Sequence, residues 1–257
     1  MIMQFTDTHS HLYDEAFSQD MDLAVERAVH EGVTRIILPD IDSGSREQMF
    51  SLARRHPDTL YPCLGLHPTS IDAGWKVQIE KLEEFIDEPV VAIGEVGIDC
   101  YWSKEFLEQQ IEAFRLQLNM ARERNLPVII HSRESTEIIL DILKSCRNLN
   151  LRGVFHAYSG SRETYREIQK LGDWYIGIGG VLTFKKASIA ETVKDIPLER
   201  IVLETDAPYL TPVPFRGKRN ESAYIPHIAS RLAELKGIDI REVADQTTFN
   251  AKSLFKI

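Results

Sequence analysis

Cysteine is scarce in this 257-residue sequence: Cys63, Cys100 and Cys146 are odd in number, widely spaced, and form no Cys-x-x-Cys pair. That pattern offers no disulfide framework and points to a reduced, cytoplasmic setting. Cys100 reads as a small buried apolar residue. No apolar stretch is long enough to span a bilayer, and the N-terminus lacks the basic start and apolar run of a secretory signal. No membrane partner is therefore expected. Positive charge is in deficit, with 30 Lys and Arg against 39 Asp and Glu and a net charge of −9. Such a surface repels polyanions at long range and argues against a broad, non-specific duplex binder, while local cation clusters or bound metal can still hold a phosphate. Linkers, low-complexity tracts and composition shifts are missing too. With 43% hydrophobic residues, the chain is read as one domain, 1–257, built on one large core.

What the sequence does contain is alternation. Short apolar, β-branched runs recur at 5–8, 35–39, 60–66, 90–96, 128–131, 154–158, 174–178 and 200–204, which makes eight strand candidates. Helical spacing fills the intervals, most clearly in the stripe of Leu107, Ile111, Phe114, Leu118 and Ala121. Gly32, Gly172, Gly237 and Asn125 fit left-handed residues that end helices, Ser161 fits an N-cap, and Ser45 with Gln48 has capping-box spacing. Eight strands alternating with helices imply parallel pairing through right-handed crossovers. At about 250 residues this is the size of a (β/α)8 TIM barrel, an α/β fold. Two further helices, 221–236 and 240–255, would complete the outer layer. A doubly wound sheet is the runner-up, but no Gly-x-Gly-x-x-Gly turn follows the first strand.

In a barrel, active groups sit at the C-terminal ends of the strands. Strand 1 ends in His9-Ser10-His11, whose alternate side chains face one side. His67 follows strand 3, Glu95 and Asp99 strand 4, His131 strand 5, His156 strand 6, and Glu204 and Asp206 strand 8. By contrast, His30 and His56 lie near helix ends and read as solvated, and His227 reads as structural. Glu95 interrupts an apolar run, and a buried carboxylate requires a partner, a metal or a raised pKa. Imidazole mixed with carboxylate suits Zn²⁺, Mn²⁺ or Fe²⁺, and accommodates Mg²⁺ if water completes the shell. Two ions sharing a bridging carboxylate fit so many ligands better than one ion, and Glu95 is the natural bridge.

These motifs resemble the TatD family of metal-dependent deoxyribonucleases, a branch of the amidohydrolase superfamily. The resemblance is carried by Asp7-Thr8-His9-Ser10-His11, Leu64-Gly65-Leu66-His67-Pro68, Gly94-Glu95-Val96-Gly97-Ile98-Asp99, His131-Ser132-Arg133, His156-Ala157-Tyr158-Ser159-Gly160, Glu204-Thr205-Asp206-Ala207-Pro208 and Arg216-Gly217-Lys218-Arg219-Asn220-Glu221, in family order over essentially the whole chain. It implies one divalent ion held by His9, His11, Glu95 and Asp206, and a second held by Glu95, His131 and His156. Ser10 stands where many members have Cys or Asn, Tyr158 where Phe is common, and Ser222 where Pro usually follows the Asn-Glu pair. Ser222 falls in the substrate loop, so substrate preference is the property that this departure touches.

The expected activity is hydrolysis of phosphodiester bonds in single-stranded DNA by water activated at two divalent ions, Mg²⁺, Mn²⁺ or Zn²⁺. Asp206 is assigned to orient and deprotonate the attacking water, Glu204 to hold a histidine tautomer, and His67 to contact the phosphate or leaving oxygen. The segment 207–220 carries Arg216, Lys218 and Arg219 with no acid, and Tyr209 and Phe215 beside them. With Asn220 it reads as a substrate strip, which Arg133, Lys185 and Lys186 extend. Rival readings are a small amide or ester hydrolase and a catalytically silent metal-binding module. Many superfamily members bridge their metals with a carboxylated lysine on strand 4, where this chain has Glu95, and that favours the nuclease branch.

Overall fold

The computed structural model describes residues 3–85 and 87–257. Its strands are β1 (Phe5–Asp7), β2 (Val33–Leu38), β3 (Leu60–Pro62), β4 (Ile93–Asp99), β5 (Val128–Arg133), β6 (Arg152–Phe155), β7 (Asp173–Ile178) and β8 (Ile201–Leu203). The helices are α1 (Met21–His30), α2 (Arg46–Arg55), α3 (Trp75–Glu80), α4 (Leu107–Arg124), α5 (Thr136–Ser145), α6 (Arg162–Gln169), α7 (Ile189–Thr192), α8 (Ile225–Lys236) and α9 (Ile240–Phe255). All ladders are parallel, in the orders β1-β2-β3 and β4-β5-β6-β7-β8. Two seams close the ring. The Leu64 N–H donates to Ala92 O at 3.1 Å and the Val91 N–H to Pro62 O at 3.0 Å, which joins β3 to β4. The Thr8 N–H donates to Leu203 O at 2.9 Å and the Asp206 N–H to His9 O at 2.8 Å, which joins β8 to β1. The expected eight-stranded parallel barrel is the observed fold.

Strand boundaries differ where side chains replace ladder partners. β3 stops at Pro62 rather than 66, because the Gly65 N–H donates to the Asp40 carboxylate at 3.1 Å and the Leu66 N–H to Gln117 Oε1 at 2.7 Å. β4 runs later than expected, to Asp99, and carries both of its acids. Ser161 caps α6 as predicted, accepting from the Thr164 N–H at 3.2 Å. The capping box at Ser45 does not form. The Ser45 hydroxyl donates instead to the Asp42 carboxylate at 3.1 Å, and the Gln48 amide donates to Tyr13 O at 2.7 Å. Asn125 is left-handed, with φ 52°, and ends α4.

The barrel interior is layered by the two-residue repeat of a strand. Ile129, Val154 and Val202 lie two residues before His131, His156 and Glu204, and so on the same side of their strands. With Ile37, Cys63 and Ala92 they form a buried cluster against which Ala251, Leu254 and Phe255 of α9 pack. The Thr248 hydroxyl donates to Gln4 O at 3.1 Å, and the Asn250 amide donates to Ile201 O at 2.7 Å. Thus α9 crosses the N-terminal ends of β1 and β8 and floors the barrel, where the outer layer was expected. An apolar floor sends water and ligands to the opposite mouth. No helix among the described residues is long and apolar enough to cross a membrane.

The long segment after β8 is tied back to α1 by charge. Arg219 donates to both Asp20 carboxylate oxygens, at 2.7 and 2.8 Å, and Arg27 bridges Asp20 and Glu221, each at 2.8 Å. The Arg219 hydrogen bonds hold the Asp20 carboxyl well below the usual range against partial burial, with Arg27 adding to the effect. An acid with a folded pKa below its unfolded value stabilises the fold above the unfolded pKa, and that contribution is lost as pH falls through the folded one. Asp20→Asn is therefore expected to lower Tm at neutral pH, and the gap to wild type should narrow below about pH 4. A gap in the thermal midpoint that stays constant down to acid pH would refute this.

Candidate metal centre

Glu95 occupies the centre of the mouth, buried, with its two oxygens facing different partners. Oε2 lies 3.0 Å from His9 Nε2 and 3.6 Å from His11 Nε2. Oε1 lies 2.8 Å from His131 Nδ1, 3.4 Å from His67 Nε2 and 3.6 Å from His156 Nε2. Asp206 Oδ1 closes the first group, 3.7 Å from both His9 Nε2 and His11 Nε2. Atoms of His9, His11 and Asp206, of His9, Glu95 and His156, and of His67, Glu95 and His131 each lie close enough together to share one ion. Residues distant in sequence, from β1, β4, β5, β6 and β8, thus meet at one point.

A surrounding set of groups orients these side chains. Asp99 Oδ2 lies 2.9 Å from His131 Nε2, and Tyr13 Oη lies 3.0 Å from His11 Nδ1 while donating to Pro39 O. Glu204 Oε1 lies 3.2 Å from His156 Nδ1 and accepts from the Ala157 N–H. Room for Glu204 comes from Gly177, where a Cβ would sit 2.2 Å from Glu204 Oε2. Beneath His9, the buried Asp7 accepts from the Thr205 N–H at 2.9 Å and the Thr205 hydroxyl at 2.6 Å, locking β8 against β1. Asp206 and Ala157 both take left-handed backbone, with φ 57° and 45°. Such residues cost on the order of 1–3 kcal/mol each and persist where the surroundings impose them. Here, the hydrogen bond from the Asp206 N–H to His9 O does so.

The electrostatics fit a cation. Burial alone would raise the Glu95 carboxyl, but His9, His67 and His156, with a hydrogen bond to His131, bring it well below its usual range. Burial pushes Asp206 up to about 7; His156 opposes this, and Glu95 and Glu204 reinforce it. His156 is raised to about 10 against burial by Glu204, Glu95 and Asp206. Burial lowers His9 well below its ordinary value and His11 to about 4. No Lys or Arg pairs with Glu95, Glu204 or Asp206 among the described residues, so imidazoles alone balance three clustered carboxylates. Imidazole nitrogens aimed at a carboxylate-rich point, those of His9 and His11 kept unprotonated by burial, are a donor set suited to a divalent ion.

The predicted substrate residues fare unequally. Tyr209, Arg216 and Lys218 are exposed. The Arg216 guanidinium lies 4.1 Å from the Phe184 ring centroid, and Lys218 Nζ lies 5.9 Å from that of Phe215. Arg219 is spent on Asp20 and lies over Phe17, while Asn220 is fully buried and donates to Thr205 O at 2.8 Å and to Tyr209 O at 2.5 Å. Both hold the loop rather than present themselves at its surface. Ser222 is likewise buried, its hydroxyl 3.2 Å from that of Ser10, so it belongs to a packing contact and not to the substrate face. His30 is exposed as expected, but His56 pairs with Asp22 at 2.6 Å. His227 packs edge-on against Phe215. Tyr13 was not anticipated as a partner of His11, although its spacing of two residues was a usable signal.

Barrel and cluster together define a metal-dependent hydrolase of α/β-barrel type. A family model described as TatD related DNase matches residues 6–256, and the chain belongs to that family. It is 41% identical over 258 aligned positions to the uncharacterized metal-dependent hydrolase YabD of Bacillus subtilis, covering 98% of each protein. It is 35% identical over 248 positions to the 3'-5' ssDNA/RNA exonuclease TatD of Erwinia tasmaniensis, covering 94% of this chain and 95% of that protein. The crystal structure of YjjV, a TatD homologue from Escherichia coli K12, matches with a TM-score of 0.93 at 31% identity, covering 100% of both chains.

The cluster should convert metal binding into stability. Mn²⁺ or Zn²⁺ at about 100 times its Kd is expected to add about 2.7 kcal/mol to unfolding free energy. Glu95→Ala should abolish most of that gain. Thermal unfolding of chelator-treated protein with and without metal measures it, and a midpoint indifferent to every divalent ion would refute the assignment.

Proposed function

We propose that this protein hydrolyses phosphodiester bonds of single-stranded DNA at a pair of divalent ions, Mg²⁺, Mn²⁺ or Zn²⁺. The observation that carries the reading is the division of Glu95, with Oε2 toward His9 and His11 and Oε1 toward His131, His67 and His156. That division supports a bridging role for Glu95. A relative named as a 3'-5' ssDNA/RNA exonuclease supports the substrate class.

His9, His11, Glu95 and Asp206 would hold one ion, and Glu95, His131 and His156 the other. When bound, such a pair polarises phosphoryl oxygens and makes water more acidic. Asp206 orients the attacking water and takes its proton as general base. The water oxygen then bonds to phosphorus in line with the departing sugar oxygen, which leaves with its electron pair and is protonated. Glu204 fixes His156 through Nδ1, and Asp99 fixes His131 through Nε2, so both rings are held before substrate arrives. His67 contacts the phosphate or the leaving oxygen. Its Nδ1 is steadied by the Thr69 hydroxyl at 2.6 Å. Arg216 and Lys218 supply exposed positive charge along the loop, with Tyr209 beside them.

A panel of end-labelled single-stranded DNA, bis-p-nitrophenyl phosphate and a cyclic amide tests the reading, alongside metal content. DNA products with little amide turnover are expected. Asp206→Asn should cost at least about 100-fold in kcat on both phosphodiesters. Arg216→Ala should raise KM for the oligonucleotide more than for the small diester. Amide turnover without DNA cleavage would favour the amide hydrolase. Tight metal binding with no turnover at all would leave a silent metal-binding module.

A further inference from the structure

The turn after β4 carries two aromatic side chains that the chemistry above does not use. Asp99, the last residue of β4, accepts at Oδ1 from the Tyr101 N–H at 2.9 Å and the Trp102 N–H at 3.2 Å. Its other oxygen is the one that faces His131. A single carboxylate therefore fixes both a proposed metal ligand and the turn that bears the rings. Trp102 is 70% exposed and Tyr101 51%, and they meet edge to face with centroids 5.0 Å apart.

Arg133 completes the group. It ends β5 and is the register partner of Asp99, so the sheet itself delivers it to this turn. Its guanidinium lies 3.8 Å from the Tyr101 ring centroid and 5.3 Å from that of Trp102. None of the ion pairs or side-chain hydrogen bonds among the described residues satisfies that guanidinium, whereas Arg219 at the same mouth is fully engaged by Asp20. Leaving a tryptophan in water forgoes the gain of burying a large apolar surface. Asp99 holds the turn through backbone N–H groups that any residue but proline would supply, so the turn itself does not call for a tryptophan.

We propose that Trp102, Tyr101 and Arg133 form a stacking platform for the nucleobase next to the phosphodiester held at the metal centre. The inference rests on the phosphodiesterase reading and names how that substrate is gripped. The chemistry points to a base because two features coincide: flat π faces, and an unpaired planar cation matched to phosphate. Such a platform accepts any base, because every base has a π face. Trp102 is a substrate-positioning residue and takes no part in proton transfer.

Steady-state kinetics and tryptophan fluorescence test the proposal together. Trp102→Ala is expected to raise KM for a single-stranded oligonucleotide about 5- to 150-fold with kcat nearly unchanged, and Trp102→Phe should recover most of the loss. Trp75 and Trp174 are only 3% and 1% exposed, so Trp102 is the tryptophan that reports on ligands at the surface. A phosphorothioate-linked oligothymidylate should quench wild-type fluorescence to saturation. An abasic oligomer of equal length should quench far less, and the Trp102→Phe protein should respond to neither. Equal quenching by the abasic oligomer, or an unchanged KM in Trp102→Ala, would overturn the platform. If no phosphodiester is cleaved, quenching still decides the matter: base-dependent quenching upholds the platform and discards only the hydrolytic reading.

Discussion

A buried carboxylate can stay charged only if its surroundings supply what water supplied, and Glu95 is where this structure meets that demand. One oxygen faces His9 and His11 after β1, and the other faces His67, His131 and His156 on or after three further strands, so the cluster cannot be assembled from one local segment. Closing the barrel joins β1 to β8 and brings the ends of both to β4's acid. The seam residues Asp7 and Thr205 accordingly carry a fully satisfied buried hydrogen-bond set directly beneath His9. Fold and centre are in this sense one constraint.

The convergence of these side chains was legible because strands have a period of two and barrels put chemistry at one end. His9 with His11, and Glu204 with Asp206, announce themselves by spacing, and each later His or Glu follows an apolar run. Less legible were the boundaries. Nothing local to Gly65 or Leu66 reveals that Asp40 and Gln117 will take their N–H groups. The role of α9 was hidden for a similar reason: an apolar stripe on a helix reads the same whether it covers the outside of a sheet or plugs its floor.

The loop after β8 shows the limit most plainly. Three cations, two aromatics and no acid make a plausible anion strip by composition. Asp20, far away in sequence, decides that Arg219 is an anchor, while carbonyls inside the loop claim Asn220. Ser10 and Ser222, far apart along the chain, touch hydroxyl to hydroxyl.

Charge at the mouth follows a consistent pattern. The chain carries a net −9, but Arg133, Arg216 and Lys218 each present a cation at the active end, lying over Tyr101, Phe184 and Phe215. A ring beneath a cation restricts it without neutralising it. At physiological ionic strength, fields decay over about 8 Å, so the acidic exterior is felt weakly by a ligand already at the mouth, where the local cations dominate. On the proposed reading, recognition is then short-ranged, built from ring, guanidinium and metal contacts rather than from steering at a distance. A single strand suits such a mouth better than a duplex, because it has lower charge density and exposes the base faces that stacking requires.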